Sequence, residues 1–160
     1  MQELEVVGVR IELPSNQPLV LLKEMNSRRH LPIWIGAPEA SAIAMFQQGI
    51  IPPRPLTHDL MIATLQALHA PLLRVEIVSV LNAVFTAELV FADEVRVDAR
   101  SSDAIALALR AQCPIMCHNH VLDEAAVLVA DDEETVEGEE DQMREFREFL
   151  EEVEPEDFEK

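Results

Sequence analysis

Apolar and polar residues alternate in short runs over the first third of the chain, the period of a half-buried strand. Leu4 to Leu13 is rich in β-branched residues and stops at Pro14-Ser15-Asn16-Gln17-Pro18, a turn-forming stretch, so Leu19 to Met25 reads as the return strand of a hairpin. Asn26 to Arg29 makes a polar turn, and Leu31 to Ile35 a third strand that ends at Gly36. The period then changes. Ala40, Ile43, Ala44 and Phe46 recur at helical spacing behind Pro38, which suits a helix first turn, and Gly49 fits its stop. A second helical run, Leu60 to Leu68, follows the proline-rich loop at 51–55 and ends before Pro71.

The second half repeats the order. Leu72 to Val80, Val84 to Phe91 and Val95 to Ala99 read as strands, and Ser101 as the N-cap of a helix through Ala111. Gly36 to Ala44 can be laid on Ala99 to Leu107 at an offset of about 63 positions, which puts Glu39 and Asp103, themselves 64 apart, in matching first turns of two helices. The expected fold is therefore α+β, a largely antiparallel sheet from two β-β-β-α repeats with an inserted helix. Pro114 to Cys117 adds a short strand, and Val121 to Val129 is ambiguous.

Charge divides the chain further. Of 30 acidic and 12 basic residues, 16 and 3 fall in residues 131–160, so this segment carries −13 of the net −18 and the body only −5. Three parts are expected: a domain over 1–130, an acidic linker over 131–141, and a C-terminal amphipathic helix and tail over 142–160, with Phe146, Phe149, Leu150 and Val153 on one face. The acidic body repels phosphate, so any nucleic-acid contact needs a local basic patch, such as Arg28, Arg29, Arg54 and Arg100 if they converge. Only 4% of residues are aromatic, which argues against an interleaved stacking platform.

Cys113 and Cys117 are one residue further apart than a CxxC redox pair and read as buried thiols. The chain has no secretory signal pattern and no apolar run of membrane length, so a cytoplasmic protein with no membrane partner is expected. His118 and His120 lack the further ligands of a zinc site. His30 and His69 sit at element edges and are expected to be exposed; Trp34, between Ile33 and Ile35, is expected in the core.

The densest chemistry is Arg54-Pro55-Leu56-Thr57-His58-Asp59, a loop entering a helix with Thr57 or Asp59 near its cap. Together with Leu31-Pro32-Ile33-Trp34-Ile35-Gly36, Glu39-Ala40, and Arg100-Ser101-Ser102-Asp103-Ala104-Ile105-Ala106-Leu107-Ala108, these blocks resemble the bifunctional nuclease family. The resemblance covers roughly residues 3–130, and the acidic tail and last helix are similar to those of its actinobacterial members. It implies an α+β fold, a tendency to form homodimers, and action on RNA and DNA with low sequence specificity. Carried over by motif, the catalytic candidates are His58, Asp59, Arg54, Glu39 and Asp103, and the substrate-binding candidates Arg100, Ser102 and Thr57.

Phosphodiester hydrolysis needs a base, a group that orients it, and positive charge on the phosphorane-like transition state. His58 supplies the first, because histidine ordinarily titrates near neutrality, with Asp59 as its orienter and Arg54 or Arg100 as the phosphate clamp. Mg²⁺ or Mn²⁺ on Asp59, Glu39 and Asp103 is the cation such carboxylates would take, although no spacing requires it. A structural reading competes: carboxylates in helix first turns gain roughly 0.3–1 kcal/mol from the helix dipole alone. On that reading the chain is a non-catalytic regulatory or protein-binding module acting as a homodimer, whose acidic C-terminal helix recruits a protein partner.

Overall fold

The computed structural model describes residues 1–129; the expected linker and C-terminal helix lie outside them. Eight strands form one sheet in the order β6-β5-β4-β7-β1-β2-β3-β8. Strands β1 (Gln2–Glu12), β2 (Gln17–Glu24) and β3 (Arg29–Trp34) make an antiparallel meander that leads into helix α1 (Ala37–Gln47). After α2 (Thr57–Ala67), the meander recurs as β4 (Arg74–Leu81), β5 (Val84–Val90) and β6 (Arg96–Arg100), with a 3-10 turn at Ala92–Glu94, and leads into α3 (Ser101–Ala111). Strand β7 (Ile115–Cys117), helix α4 (Asn119–Ala125) and the short β8 (Val127–Leu128) close the described chain, so the ambiguous stretch after Val121 divides between a helix and a strand.

The mixed α+β architecture is the one the hydrophobic pattern predicts. Strand β7 lies between the two meanders, antiparallel to β1 and parallel to β4, so β1 and β4 run in opposite directions. That is the arrangement a twofold axis through β7 and perpendicular to the sheet would produce. Each meander also carries a bulge in its first strand, between Val6 and Gly8 and between Ile77 and Ser79, which deepens the local twist. Helix α4 touches both β3 and β4, although three strands separate them. In a flat sheet these strands would lie about 19 Å apart, while seven helical residues span about 10 Å, so the sheet curls around α4.

Helices α1 and α3 pack side by side over the sheet, and α2 packs on α3. Their buried residues Ile43, Ile105 and Leu107 meet Leu22, Ile33, Ile77 and Leu89 of the strands in one core. Helix α2 buries only Ile62 and leaves Leu56, Leu60 and Met61 at the surface.

Several expectations are corrected. Trp34 is 49% exposed, because it lies on the opposite face of β3 from the buried Leu31 and Ile33. His30 is buried, and its Nδ1–H donates to the Arg28 carbonyl at 3.0 Å. Ser101 is the first residue of α3 and not its cap, a position that Arg100 takes with extended backbone. Thr57, by contrast, does lie near the cap of α2, directly after Leu56. Both cysteines are free thiols, which burial pushes up to about 11 for Cys113 and about 12 for Cys117. No helix among the described residues is long and apolar enough to cross a membrane.

Candidate functional site

Three helices begin close to one another, each with an acidic residue in its first turn: Glu39 on α1, Asp59 on α2 and Asp103 on α3. Such carboxylates are stabilised by the free amides of a helix start, but here each also takes a specific partner. His58 Nε2 lies 2.9 Å from Asp103 Oδ1. A carboxylate can only accept, so Nε2 carries the proton, and in the neutral imidazole the lone pair is then on Nδ1. Arg100 donates from Nε to the other oxygen of Asp103 at 2.9 Å and from Nη2 to Glu39 Oε1 at 2.7 Å. The result is a chain, His58–Asp103–Arg100–Glu39, that ties all three helix starts together.

Glu39 and Asp103, each the third residue of its helix, thus share one guanidinium. These two carboxylates hold Arg100 above its ordinary pKa, Asp103 contributing most. The Arg100 side chain is still 67% exposed, and Nη1 has no partner among the described residues, so two N–H donors stay open to a ligand. His58 is mostly buried and forms one wall of an open cleft of about 730 Å³ between α1 and the 52–60 segment. Its other walls include Ser41, Met45, Pro55 and Leu56.

Asp59 does not join this chain. The imidazole next to it is oriented by Asp103, while Asp59 Oδ1 accepts from Arg110 Nε at 2.7 Å and Oδ2 accepts the Leu56 amide at 3.0 Å. Burial pushes the Asp59 carboxyl up; the Arg110 and Leu56 hydrogen bonds outweigh it and leave the group below the usual carboxylate range. Arg54 is exposed in the proline-rich loop, with no ion-pair partner among the described residues. Thr57 is exposed on the lip of the cleft, and Ser102 is buried at the start of α3. Arg28 and Arg29 do not converge with Arg100: they lie at the start of β3, whose far end at Trp34, about 17 Å away, is the part that shares a surface hollow with Arg100. Among the described residues, no group of three or more His, Cys, Asp or Glu side chains gathers as metal ligands would. His118 instead pairs with Glu76 at 3.1 Å.

Sequence reasoning passed over Arg110. Its side chain is 6% exposed; besides Asp59 it binds the Ala42 carbonyl at 2.9 Å and the Ala106 carbonyl at 3.0 Å, and its guanidinium lies 5.6 Å from the centre of the Phe46 ring. The signal was available: Arg110 is the single charge in the run Ala104 to Ala111, and a buried guanidinium requires a carboxylate.

With this geometry in place, comparison with known proteins assigns the family. The model of the bifunctional nuclease domain matches residues 20–130. The chain belongs to the bifunctional nuclease domain family. It is also similar to two proteins of Mycobacterium tuberculosis, Uncharacterized protein Rv1829 of strain ATCC 25618 / H37Rv and Uncharacterized protein MT1877 of strain CDC 1551 / Oshkosh. Each is 48% identical over 161 residues, which is 99% of this chain and 98% of the relative. The matched domain contains every residue of the His58–Asp103–Arg100–Glu39 chain.

Proposed function

We propose that the chain hydrolyses phosphodiester bonds of RNA or DNA at the His58–Asp103–Arg100 cluster. The observation that carries this reading is the 2.9 Å contact between His58 Nε2 and Asp103, which holds the imidazole with Nδ1 free beside a guanidinium with open donors. Nδ1 takes a proton from the attacking water as its oxygen bonds to phosphorus; the P–O bond on the opposite side breaks, and the leaving oxygen takes its proton from solvent. The open N–H groups of Arg100 face the charge that gathers on the non-bridging oxygens. Glu39 keeps Arg100 in position, and Asp59 acts only through the α2 start. Low sequence specificity fits a cluster whose charge and base act on the phosphate, which every nucleotide shares.

A homodimer belongs to the same reading. Strand β6 is an edge of the sheet among the described residues, with Val97 and the preceding Val95 exposed, and antiparallel pairing of two copies centred on Val97 sets Arg96 against Asp98 of the other copy. Light scattering should then show Val97→Lys as a monomer where the parent chain is a dimer; a dimer in both would move the interface elsewhere.

The deciding assay compares the parent chain with His58→Ala, Asp103→Asn and Asp59→Asn on single-stranded RNA and DNA, with and without Mg²⁺ or Mn²⁺. Loss of general-base action costs roughly 100-fold or more, expected for His58→Ala and Asp103→Asn but not for Asp59→Asn. Equal activity in all preparations would indicate a contaminant and end the nuclease reading.

A further inference from the structure

A second cleft, of about 530 Å³, opens on the other side of Arg100 where β3, the turn between β4 and β5, and the start of α3 meet. One wall is aromatic, formed by the exposed Trp34 and by Phe85. Arg100, Ser101 and Ser102 also line the cleft. These serines are 6% and 7% exposed, yet neither hydroxyl has a hydrogen-bond partner among the described residues, and no side-chain hydrogen bond caps α3. Their hydroxyl oxygens stay open to solvent where they line the cleft, so a ligand seated there can take the place of water on both.

The charge of the lining narrows the ligand. Arg100 is already engaged by Glu39 and Asp103, and every other residue lining the cleft is uncharged, so the body of the cleft is neutral. An aromatic face together with hydroxyls and free helix amides suits a flat, uncharged heterocycle with donors and acceptors on its edge. We propose that this cleft seats the nucleobase adjoining the scissile phosphate, stacked on Trp34 and held at its edge by Ser101 and Ser102. The proposal rests on the hydrolytic reading above, with Arg100 standing between base and phosphate. It assigns the nucleotide unit that the cluster engages, a role that neither the charge pattern nor the low aromatic content suggested.

Trp34 is the sole tryptophan of the chain, so its emission responds to a ligand in this cleft, and the serine variants separate that response from binding in the neighbouring hollow beside Glu124. The parent chain is titrated with adenosine and uridine 5′-monophosphates, with adenosine and inorganic phosphate as separate arms. Saturable quenching by the nucleotides and by adenosine, and none by phosphate, is expected. The Ser101→Ala/Ser102→Ala double variant should bind roughly tenfold more weakly, Trp34→Ala followed by calorimetry should weaken by a similar factor, and His58→Ala should bind as the parent does. Absence of quenching by both nucleotides, quenching by phosphate alone, or undiminished binding in both the double variant and Trp34→Ala would overturn the cleft. Hydrolysis without quenching would remove the base site and leave the nuclease; quenching without hydrolysis in any preparation would do the reverse.

Discussion

At the residue scale, Arg110 shows how a structural group and a chemical one come to share a helix start. It joins α3 to Asp59 and to the Ala42 carbonyl of α1, so the orientation of α2, and with it the place of His58, rests on a guanidinium that has no contact with the cleft. Replacing it by Ala would leave Asp59 Oδ1 without its guanidinium, with only the Leu56 amide on the other oxygen, and would remove the side-chain donor from the Ala42 carbonyl. A loss of about 3 kcal/mol in urea unfolding is expected for Arg110→Ala, and Arg110→Lys should recover little, because an ammonium cannot reproduce three directed hydrogen bonds from one plane. Unfolding of Arg110→Ala within 1 kcal/mol of the parent would show the pair to be dispensable. His58, Asp103, Arg100 and Glu39 were each legible as candidates from motif and repeat. Their pairing was not, because Asp103 is 45 residues from His58 while Asp59 is adjacent, and sequence proximity favours the wrong carboxylate.

At the scale of elements, the positions where chain direction changes were the most readable, since turn chemistry is local. Gly49 follows α1 with φ of 68° and nothing near the space a Cβ would fill. Gly49→Ala should therefore cost about 1 kcal/mol from backbone conformation alone. The opposite case is Ala83, whose φ of 63° in the tight turn between β4 and β5 is one that glycine adopts without penalty. Ala83→Gly should raise thermal stability where Gly49→Ala lowers it, and a pair of melts shifting in the same direction would refute this account. Trp34 was misread at this scale. Its neighbours Ile33 and Ile35 are apolar, but in a strand the residues that share its face are the second neighbours, and Pro32 is only partly covered.

At the scale of the whole molecule, the two halves are held to α4 by buried carboxylates that the sequence pattern concealed as ordinary strand positions. On one side, Glu24 pairs with Arg29, which also binds Asp123 of α4. On the other, Glu76 accepts from Arg74 and His118 and lies 3.2 Å from Arg96. Burial raises the Glu76 carboxyl, but the bonds from Arg96, His118 and Arg74 prevail and bring it down to about 2; Arg29 likewise holds Glu24 below its usual value. A folded pKa below the unfolded one means that the native state keeps this stabilisation in full above the ordinary carboxyl value of 4.5 and loses it as pH falls toward 2. The Glu76 contribution corresponds to at most about 3 kcal/mol. Urea unfolding followed between pH 6 and 2 should therefore show the parent weakening below about pH 4.5, while Glu76→Gln, less stable at neutrality, loses less over the same interval. Curves that stay parallel would place the acid sensitivity on other carboxylates, Glu24 first among them. A parent chain that keeps its stability down to pH 2 would mean that the unfolded state retains these ion pairs, and α4 would then owe its place between the halves to Val121 and Leu122 in the core.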